Sequence, residues 1–454
     1  MKCKTLMATL AAFTLWGTSH VNASAETTLD EVKSYVNDYY YPGITPSTVK
    51  NSKTIKQLTD HLDDYSMYMT ADEYASFYNA VESKLVGIGI GVSEHKKGIK
   101  ILQVFDGSPA KKAGMKTNDI ITKINGKSTA TLSLEKGTAQ LKGKEGTTVK
   151  VTFYRPSTKE TYTKTLKRAV VNVPNVETAV LSGRIGYIYL NSFASNSGSE
   201  IAAAIKKMPK NMKGYILDLR DNGGGDVEAA KDIIGLAENN KYAYLLNTRS
   251  GNYYQVPTTQ KTHWDAPLAI LVNGNSASAS EMTAASYKDQ KTATLYGEKT
   301  YGKGVMQSIY PVKDGGYLKL TVAEFTGPKG AVIQKKGVTP NVKTTSAQAL
   351  YKSHKAYLVK QLKKYDKEAT IKRTTTNQKI TLKANKDMNW QTLKNAKVSL
   401  MQIGGKTKSV QVKVSGKSLV VQPKATLAKG TSYYLRIVNA KNAKDGIYHY
   451  VTIK

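Results

Sequence analysis

The sequence predicts a multidomain chain of mixed α/β and α+β class: an N-terminal helical region, a glycine-punctuated strand unit, an α/β core and a C-terminal β-sandwich. Three observations carry this. From Gly183 onward apolar strands alternate with helix patterns (RIGYIYLNSF, SEIAAAIKKM, GYILDLRDNGGG, VEAAKDIIGLAEN, APLAILVNG), as a layered α/β core requires. After residue 370 the helix period disappears, and short strands separated by turn residues take over (KITLKA, AKVSLMQI, KSVQVKVSG, SLVVQPKA, SYYLRIVNA, IYHYVTIK). At 454 residues and 40% apolar content the chain is long enough for several packed cores.

Residues 1–25 read as a secretory signal: Lys2 and Lys4, the apolar run LMATLAAFTLWG, then Ala23-Ser24-Ala25 as a small-residue cleavage site. The run is short for a membrane span and is interrupted by Thr and Ser, so cleavage is expected rather than anchoring. Cys3, the only cysteine, lies inside this segment, so a mature chain from Glu26 has neither disulfide nor thiol chemistry. The expected location is extracytoplasmic, secreted or associated with the cell wall.

The net charge is +33, of which Lys2 and Lys4 supply two. Such a charge suggests nucleic acid at first sight. For an exported chain, anionic wall polymers or acidic lipid headgroups are the expected partners instead, and solubility alone is the bland alternative. The last 84 residues hold 17 Lys or Arg against Asp387 and Asp445. Wall attachment and a passive spacer both fit them.

Residues 26–84 carry a helical pattern with a turn at Tyr41-Pro42-Gly43. Residues 85–156 begin with LVGIGIGV, pass through the strand KGIKILQVF, a helix opened by Ser108-Pro109, and NDIITKINGKS, whose Asn125-Gly126 is a strong hairpin signal, and close with GTTVKVTFYRP. Residues 157–348 form the α/β core, 349–370 a helical linker, and 371–454 the basic sandwich, with TIKRTTTNQK as the connecting stretch.

Several motifs are decoys. Gly297 to Lys303 has P-loop spacing, but Gly304 stands where that motif needs Ser or Thr. The Ser-x-x-Lys pairs Ser47/Lys50 and Ser133/Lys136 lack the companion motifs of penicillin-binding proteins. His61, His95, His263, His354 and His449 form no zinc-protease pair.

The chemically suggestive stretch is NGNSASASEMTAAS, followed by GEKTYGKGVMQ. Alternate residues of an extended chain share a face, so pattern alone leaves Ser276, Ser278 and Ser280 all open. Ser278-Ala-Ser-Glu281 is the Ser-x-x-Glu there, which sets Ser278 at a helix N-cap. It either merely caps that helix or uses the nearby amides and helix dipole as a nucleophile does. Lys303 is either solvated surface or a base. To be half-neutral at pH 7 a lysine needs its charge disfavoured by about 4.6 kcal/mol, which apolar burial can supply. Gly302 and Gly304 would let its backbone pass close to other segments, and Tyr301 and Val305 offer apolar cover.

These blocks closely resemble the carboxyl-terminal processing proteases, Ser–Lys serine peptidases of the S41 type with an embedded PDZ domain. LDDYSMYMTADEYASFYNAVESKLVGIGIGV is similar to the family's entry into its PDZ unit, SGRIGYIYLNSF and GYILDLRDNGGG to the opening strands of its core, and GGYLKLTVAEFTGPKGAVIQKKGVTPNV to its closing hairpin. Roughly residues 30–345 are covered. The resemblance implies a PDZ domain at 85–156 and a crotonase- or Clp-like protease core, with Ser278 as nucleophile, Lys303 as general base and Gln307 hydrogen-bonding that lysine from a helical or tight turn. It implies oxyanion donors in the amides of Ala279 and Gly224, and a loop of Gly87, Ile88, Gly89 and Ile90 that holds a peptide's terminal carboxylate. Gly223 departs from the family, where proline is commoner. Glu281 is expected to brace the helix start only. Residues 380–454 more distantly resemble bacterial Ig-like modules. The implied function is an exported endopeptidase that reads unstructured, apolar protein C-termini, needs no metal or cofactor, binds no nucleic acid, and is compatible with a homodimer through its N-terminal helices. The rival is a catalytically silent PDZ scaffold or wall-binding protein, against which the intact Ser278, Lys303 and Gln307 argue.

Overall fold

The computed structural model describes residues 27–132, 134–373, 379–383, 396–415, 418–439 and 445–453. The expected signal segment 1–25, and much of the stretch between the core and the sandwich, lie outside the described residues.

The N-terminal unit contains α1 (Thr28–Tyr39), α2 (Pro46–Asn51), α3 (Ile55–Thr59), β1 (Met67–Met69) and α4 (Ala71–Val81). Thr27 and Thr70 start α1 and α4 as reciprocal capping boxes with Asp30 and Glu73. Val32 and Val36, one turn apart on α1, pack with Val49 and Leu58 against the core's Leu318 and Leu320. By contrast α4 has no fully buried residue.

The next unit holds β2 (Lys84–Gly87), β3 (Ile90–His95), β4 (Gly98–Val104), α5 (Pro109–Lys112), β5 (Ile120–Ile124), β6 (Lys127–Ser128), α6 (Leu134–Leu141), β7 (Thr148–Arg155), β8 (Glu160–Lys167) and β9 (Ala169–Asn172). Its sheet runs β3-β4-β5-β7-β8. Asn125 and Gly126 make the hairpin turn with φ of 49° and 81°, the left-handed pair that the Asn-Gly signal predicts. The expected boundary at 156 falls inside a hairpin: β8 pairs with β7 along its whole length, so the sheet continues to Lys167. The unit joins the rest of the chain through a two-stranded ribbon of β2 and β9.

The core comprises β10 (Val176–Leu181), β11 (Ile185–Leu190), α7 (Ser197–Lys207), β12 (Gly214–Asp218), α8 (Val227–Ile234), β13 (Tyr244–Thr248), β14 (Gly251–Gln255), β15 (Leu268–Val272), α9 (Ala279–Asp289), β16 (Ala293–Gly297), β17 (Val305–Pro311), β18 (Tyr317–Thr326), β19 (Val342–Lys343) and α10 (Ser346–Leu362). One sheet runs β10-β11-β12-β15-β16-β19, parallel from β11 onward. All residues of β12 and β15 are buried, which is why those strands read as continuous apolar runs. Ile188, Leu217 and Ile270 pack with α7, α8 and α9 on one face, while Ile216, Ala269 and Leu271 meet α10 on the other. A second sheet, β1-β18-β13-β14 with β17 on the other edge of β18, closes over α9.

The C-terminal unit contains β20 (Asp366–Lys367), β21 (Ile371–Arg373), β22 (Ile380–Lys383), β23 (Lys397–Gln402), β24 (Thr407–Lys408), β25 (Val410–Ser415), β26 (Ser418–Pro423), β27 (Ser432–Val438) and β28 (Gly446–Ile453), in two facing sheets. The segment expected to be a helical linker is instead a shared structural layer. In α10, Ala349 packs on the core sheet, while Leu358 and Leu362 join Met401, Ile403 and Tyr434 of the sandwich in one buried cluster. His354 accepts from the Gly404 amide through Nδ1 at 2.7 Å and donates through Nε2 to the Ser182 carbonyl at 2.8 Å.

Candidate active site

The loop between β15 and α9 gives the three serines different surroundings. Ser276 is fully buried: its hydroxyl donates to the Leu219 carbonyl at 2.7 Å and accepts from the Asn273 amide at 3.0 Å. Ser280, also fully buried, donates to the Asn222 carbonyl at 2.9 Å. Ser278 is half-buried and lines a cleft of about 680 Å³. It stands at the N-cap of α9 with φ 55° and ψ −115°, a backbone conformation that costs a non-glycine residue of order 1–3 kcal/mol and needs enforcement from its surroundings.

Glu281 supplies part of that enforcement. Its fully buried carboxylate accepts from the Ser278 amide (3.0 Å), the Thr300 hydroxyl (2.5 Å), the Gly302 amide (2.7 Å) and the Lys303 amide (2.8 Å). Burial pushes its pKa up, and these hydrogen bonds oppose that rise. The expectation that Glu281 only braces a helix start was too small: it ties the serine's backbone to the lysine's.

The Lys303 loop passes through tight places. A Cβ on Gly304 would stand 2.4 Å from the Gln334 nitrogen, and Gly302 has φ +99° with neighbouring backbone 3.2 Å away, so glycine is required on both sides. Lys303 lines the same cleft as Ser278. Burial, reinforced by the Lys319 ammonium, lowers its pKa to about 8, against the pull of Asp63 and Glu281. The expected cover is partly wrong. Val305 is buried, but Tyr301 is 61% exposed, and the ring beneath the Lys303 Nζ is that of Tyr65, 5.0 Å away. Among the described residues no hydrogen bond joins Ser278 Oγ to Lys303 Nζ.

Gln307 also lines the cleft but differs from expectation. It lies on β17 beyond a bulge between Met306 and Gln307, not on a helical turn. Its amide donates to Thr321 Oγ1 at 3.2 Å, and that hydroxyl donates to Asp63 Oδ1 at 3.1 Å. The glutamine is therefore linked through Thr321 to Asp63, a residue with no local sequence signal, and not to Lys303.

Of the two expected oxyanion donors, Ala279 is the first residue of α9, whose amide has no acceptor within the helix. Gly224 does abut Ser278: a Cβ there would lie 2.9 Å from Ser278 Cβ. Its amide, however, donates to Asn222 Oδ1 at 2.9 Å, so in this conformation it is not open to an oxyanion. Asn222 is itself fully buried and anchored to the Leu190 carbonyl at 2.9 Å. A Cβ on Gly223 would meet nothing within 4 Å, so packing does not require glycine there.

Residues 184–344 match peptidase family S41, residues 86–166 a PDZ domain and residues 364–449 a bacterial Ig-like domain. The chain is 33% identical over 344 residues to the probable CtpA-like serine protease of Staphylococcus haemolyticus (strain JCSC1435), which spans 74% of this chain and 69% of that one. It is 34% identical over 317 residues to the carboxy-terminal processing protease CtpA of Bacillus subtilis (strain 168), covering 69% and 67%. The chain belongs to the CtpA-type carboxy-terminal processing proteases. It is a serine-type peptidase with a PDZ domain and a C-terminal Ig-like domain. A similar solved structure is that of the photosystem II D1 C-terminal processing protease, with 25% identity over 71% of this chain and 94% of that one, and a TM-score of 0.46.

In this family member the PDZ loop is tightly packed. Gly89 has φ +76°, and a Cβ on it would lie 2.3 Å from Ser108 Cβ, so glycine alone fits. The carbonyls of Ile88 and Gly89 accept from Ala110 (2.9 Å) and Phe105 (3.1 Å). The space beside the loop, lined by Gly87, Ile88, Gly89, Ile90, Leu141 and Lys142 among others, is about 50 Å³. That is water-sized and too small for a peptide strand.

Proposed function

We propose that this chain is an exported endopeptidase that cleaves by a Ser–Lys acyl-enzyme route and reads unstructured protein C-termini through its PDZ domain. The observation that carries the reading is the pairing in one cleft of Ser278, its serine neighbours already spent on backbone carbonyls, with Lys303, whose pKa is brought down to about 8. A lysine in that range is neutral often enough near neutral pH to act as base.

In the proposed route Ser278 Oγ attacks the peptide carbonyl carbon and its proton passes to Lys303 Nζ. The ammonium returns that proton to the leaving amine as the C–N bond breaks, leaving an acyl-enzyme. A water, deprotonated by the same lysine, then releases the acid and restores the hydroxyl. The Ala279 amide holds the oxyanion. Gly224 becomes the second donor when Asn222 Oδ1 releases its amide, so the present arrangement is a resting one. A peptide carboxylate at Gly87, Ile88, Gly89 and Ile90 requires α6 to move away from β3. Export rests on the signal pattern of residues 1–25, and wall association on the positive charge of the Ig-like domain.

The test incubates mature protein, Ser278→Ala and Lys303→Ala with an unfolded protein ending in apolar residues, and maps fragments by mass spectrometry. Cleavage by the unaltered protein alone, insensitive to chelator, is expected. Equal cleavage by all three overturns the assignment.

A further inference from the structure

The cleft holds a second lysine that the route above does not use. Lys319, on β18, is only 9% exposed and lines the same cleft as Ser278 and Lys303. Its Nζ lies 4.9 Å above the Phe77 ring of α4, as the Lys303 Nζ lies 5.0 Å above Tyr65. Neither lysine belongs to an ion pair among the described residues. An ammonium buried without a carboxylate partner is costly, and two in one cleft cost more, because each disfavours the other's charge.

Asp63 is the nearby acid, and it is fixed in place. Its carboxylate accepts from Thr321 Oγ1 at 3.1 Å, and its amide donates to the Tyr40 hydroxyl at 2.8 Å. Thr321 sits two residues beyond Lys319 on the same strand, opposite Gln307. The arrangement is therefore two lysines and one anchored carboxylate, braced by the β17–β18 pairing.

We propose that Lys319 is a positioning residue for catalysis, acting electrostatically: its ammonium drives the proton off Lys303, and Asp63 limits how strongly it does so. The inference rests on the reading of Lys303 as the base. The other charged or titratable groups are Glu281 from α9 and Tyr65 from the N-terminal unit beside Lys303, and Tyr74, Tyr78, Glu82, Asp226 and Glu228 elsewhere along the cleft wall. Glu281, like Asp63, favours the ammonium form, and burial keeps the Tyr65 phenol protonated beyond its ordinary range. Lys319 is thus the cation that pushes the other way. The Lys319 pKa is itself lowered by burial, while Asp63 acts to keep it charged. For this role Lys319 must keep its proton over the range in which Lys303 gives up its own.

The test is competitive trace acetylation of the full chain with acetic anhydride across pH, reading each lysine by mass spectrometry. It reports the protonation of Lys303 whether or not the protein cleaves anything, so its failure is distinct from failure of the proposed function. Lys319→Met is expected to move the Lys303 midpoint up by about one pH unit, and the acid limb of turnover with it. Lys319→Arg should leave the midpoint near that of the unaltered protein, and Asp63→Asn should move it down. A merely space-filling Lys319 would leave the Lys303 midpoint unmoved in Lys319→Met, and that result, or both substitutions shifting it in one direction, overturns the proposal. The unaltered protein tests it independently of any variant's folding: Lys319 must still resist acetylation at the Lys303 midpoint, and a Lys319 that becomes reactive first refutes the idea.

Discussion

On the Ser278 side of the cleft, Ser276, Ser280, Asn222 and Glu281 are locked into hydrogen bonds. On the Lys303 side, Lys303 and Lys319 rest on aromatic rings, and the Gln307 side chain bonds Thr321, which links it to Asp63. Buried polar networks of the first kind fix a geometry, whereas ring contacts permit an ammonium to shift at little cost. The difference places preorganisation with the serine and adjustment with the lysine. The motion that completes the site is thus expected around β17, β18 and α4, the helix without a fully buried residue.

The contrast is broken most severely at Glu281, which both sides share. Glu281→Ala leaves the Ser278, Gly302 and Lys303 amides and the Thr300 hydroxyl without their acceptor. Stability should fall by about 4 kcal/mol, measured by denaturant unfolding, with peptidase activity below detection. Ser276→Ala tests the Ser278 side alone. It removes bonds to Leu219 and from Asn273 and should cost about 2 kcal/mol, with turnover reduced but present. An activity loss as complete as that of Ser278→Ala would contradict the choice of serine. Gln307→Ala tests the Lys303 side and should be milder, about 1 kcal/mol in the barrier or roughly fivefold in kcat, because one half-buried hydrogen bond is lost. Thr321→Val combined with it should add little, since the two act through one chain to Asp63.

The smallest effect concerns the rigid seat of the Ig-like domain. Burial holds the His354 pKa below its ordinary value. The unfolded chain therefore takes up a proton near pH ~6.5 that the folded protein refuses. Stability should be full above that pH and decline as pH falls through it, and His354→Gln should flatten the decline seen in thermal melts between pH 7 and 5.

The Ser-x-x-Glu spacing set Ser278 at a helix start and the flanking glycines marked Lys303, while the family resemblance gave both residues their expected roles. Both signals are local, being a helix start and a close backbone passage. Asp63 and Lys319 were not legible as site residues. They meet only because β18 brings residue 319 beside β17 and under the N-terminal unit, and no short-range pattern encodes that pairing. The sandwich strands were readable from their turn spacing, but the seating of that domain depends on His354 meeting Gly404, a contact fifty positions apart in the chain. The engagement of the Gly224 amide by Asn222 was hidden for a different reason: a glycine loop shows how closely backbone can approach, not which acceptor each amide takes.

If Ser278 attacks and Lys303 is the base that frees it, the reactivity of the serine must follow the protonation of the lysine. The most direct measurement is the rate of covalent labelling by a serine-directed fluorophosphonate as a function of pH, with the adduct mapped by mass spectrometry. A single adduct on Ser278 is expected, forming faster as pH rises through about 8, where Lys303 loses its proton, and failing to form in Lys303→Ala. An adduct on another serine, or undiminished labelling of Ser278 in Lys303→Ala, would contradict those roles.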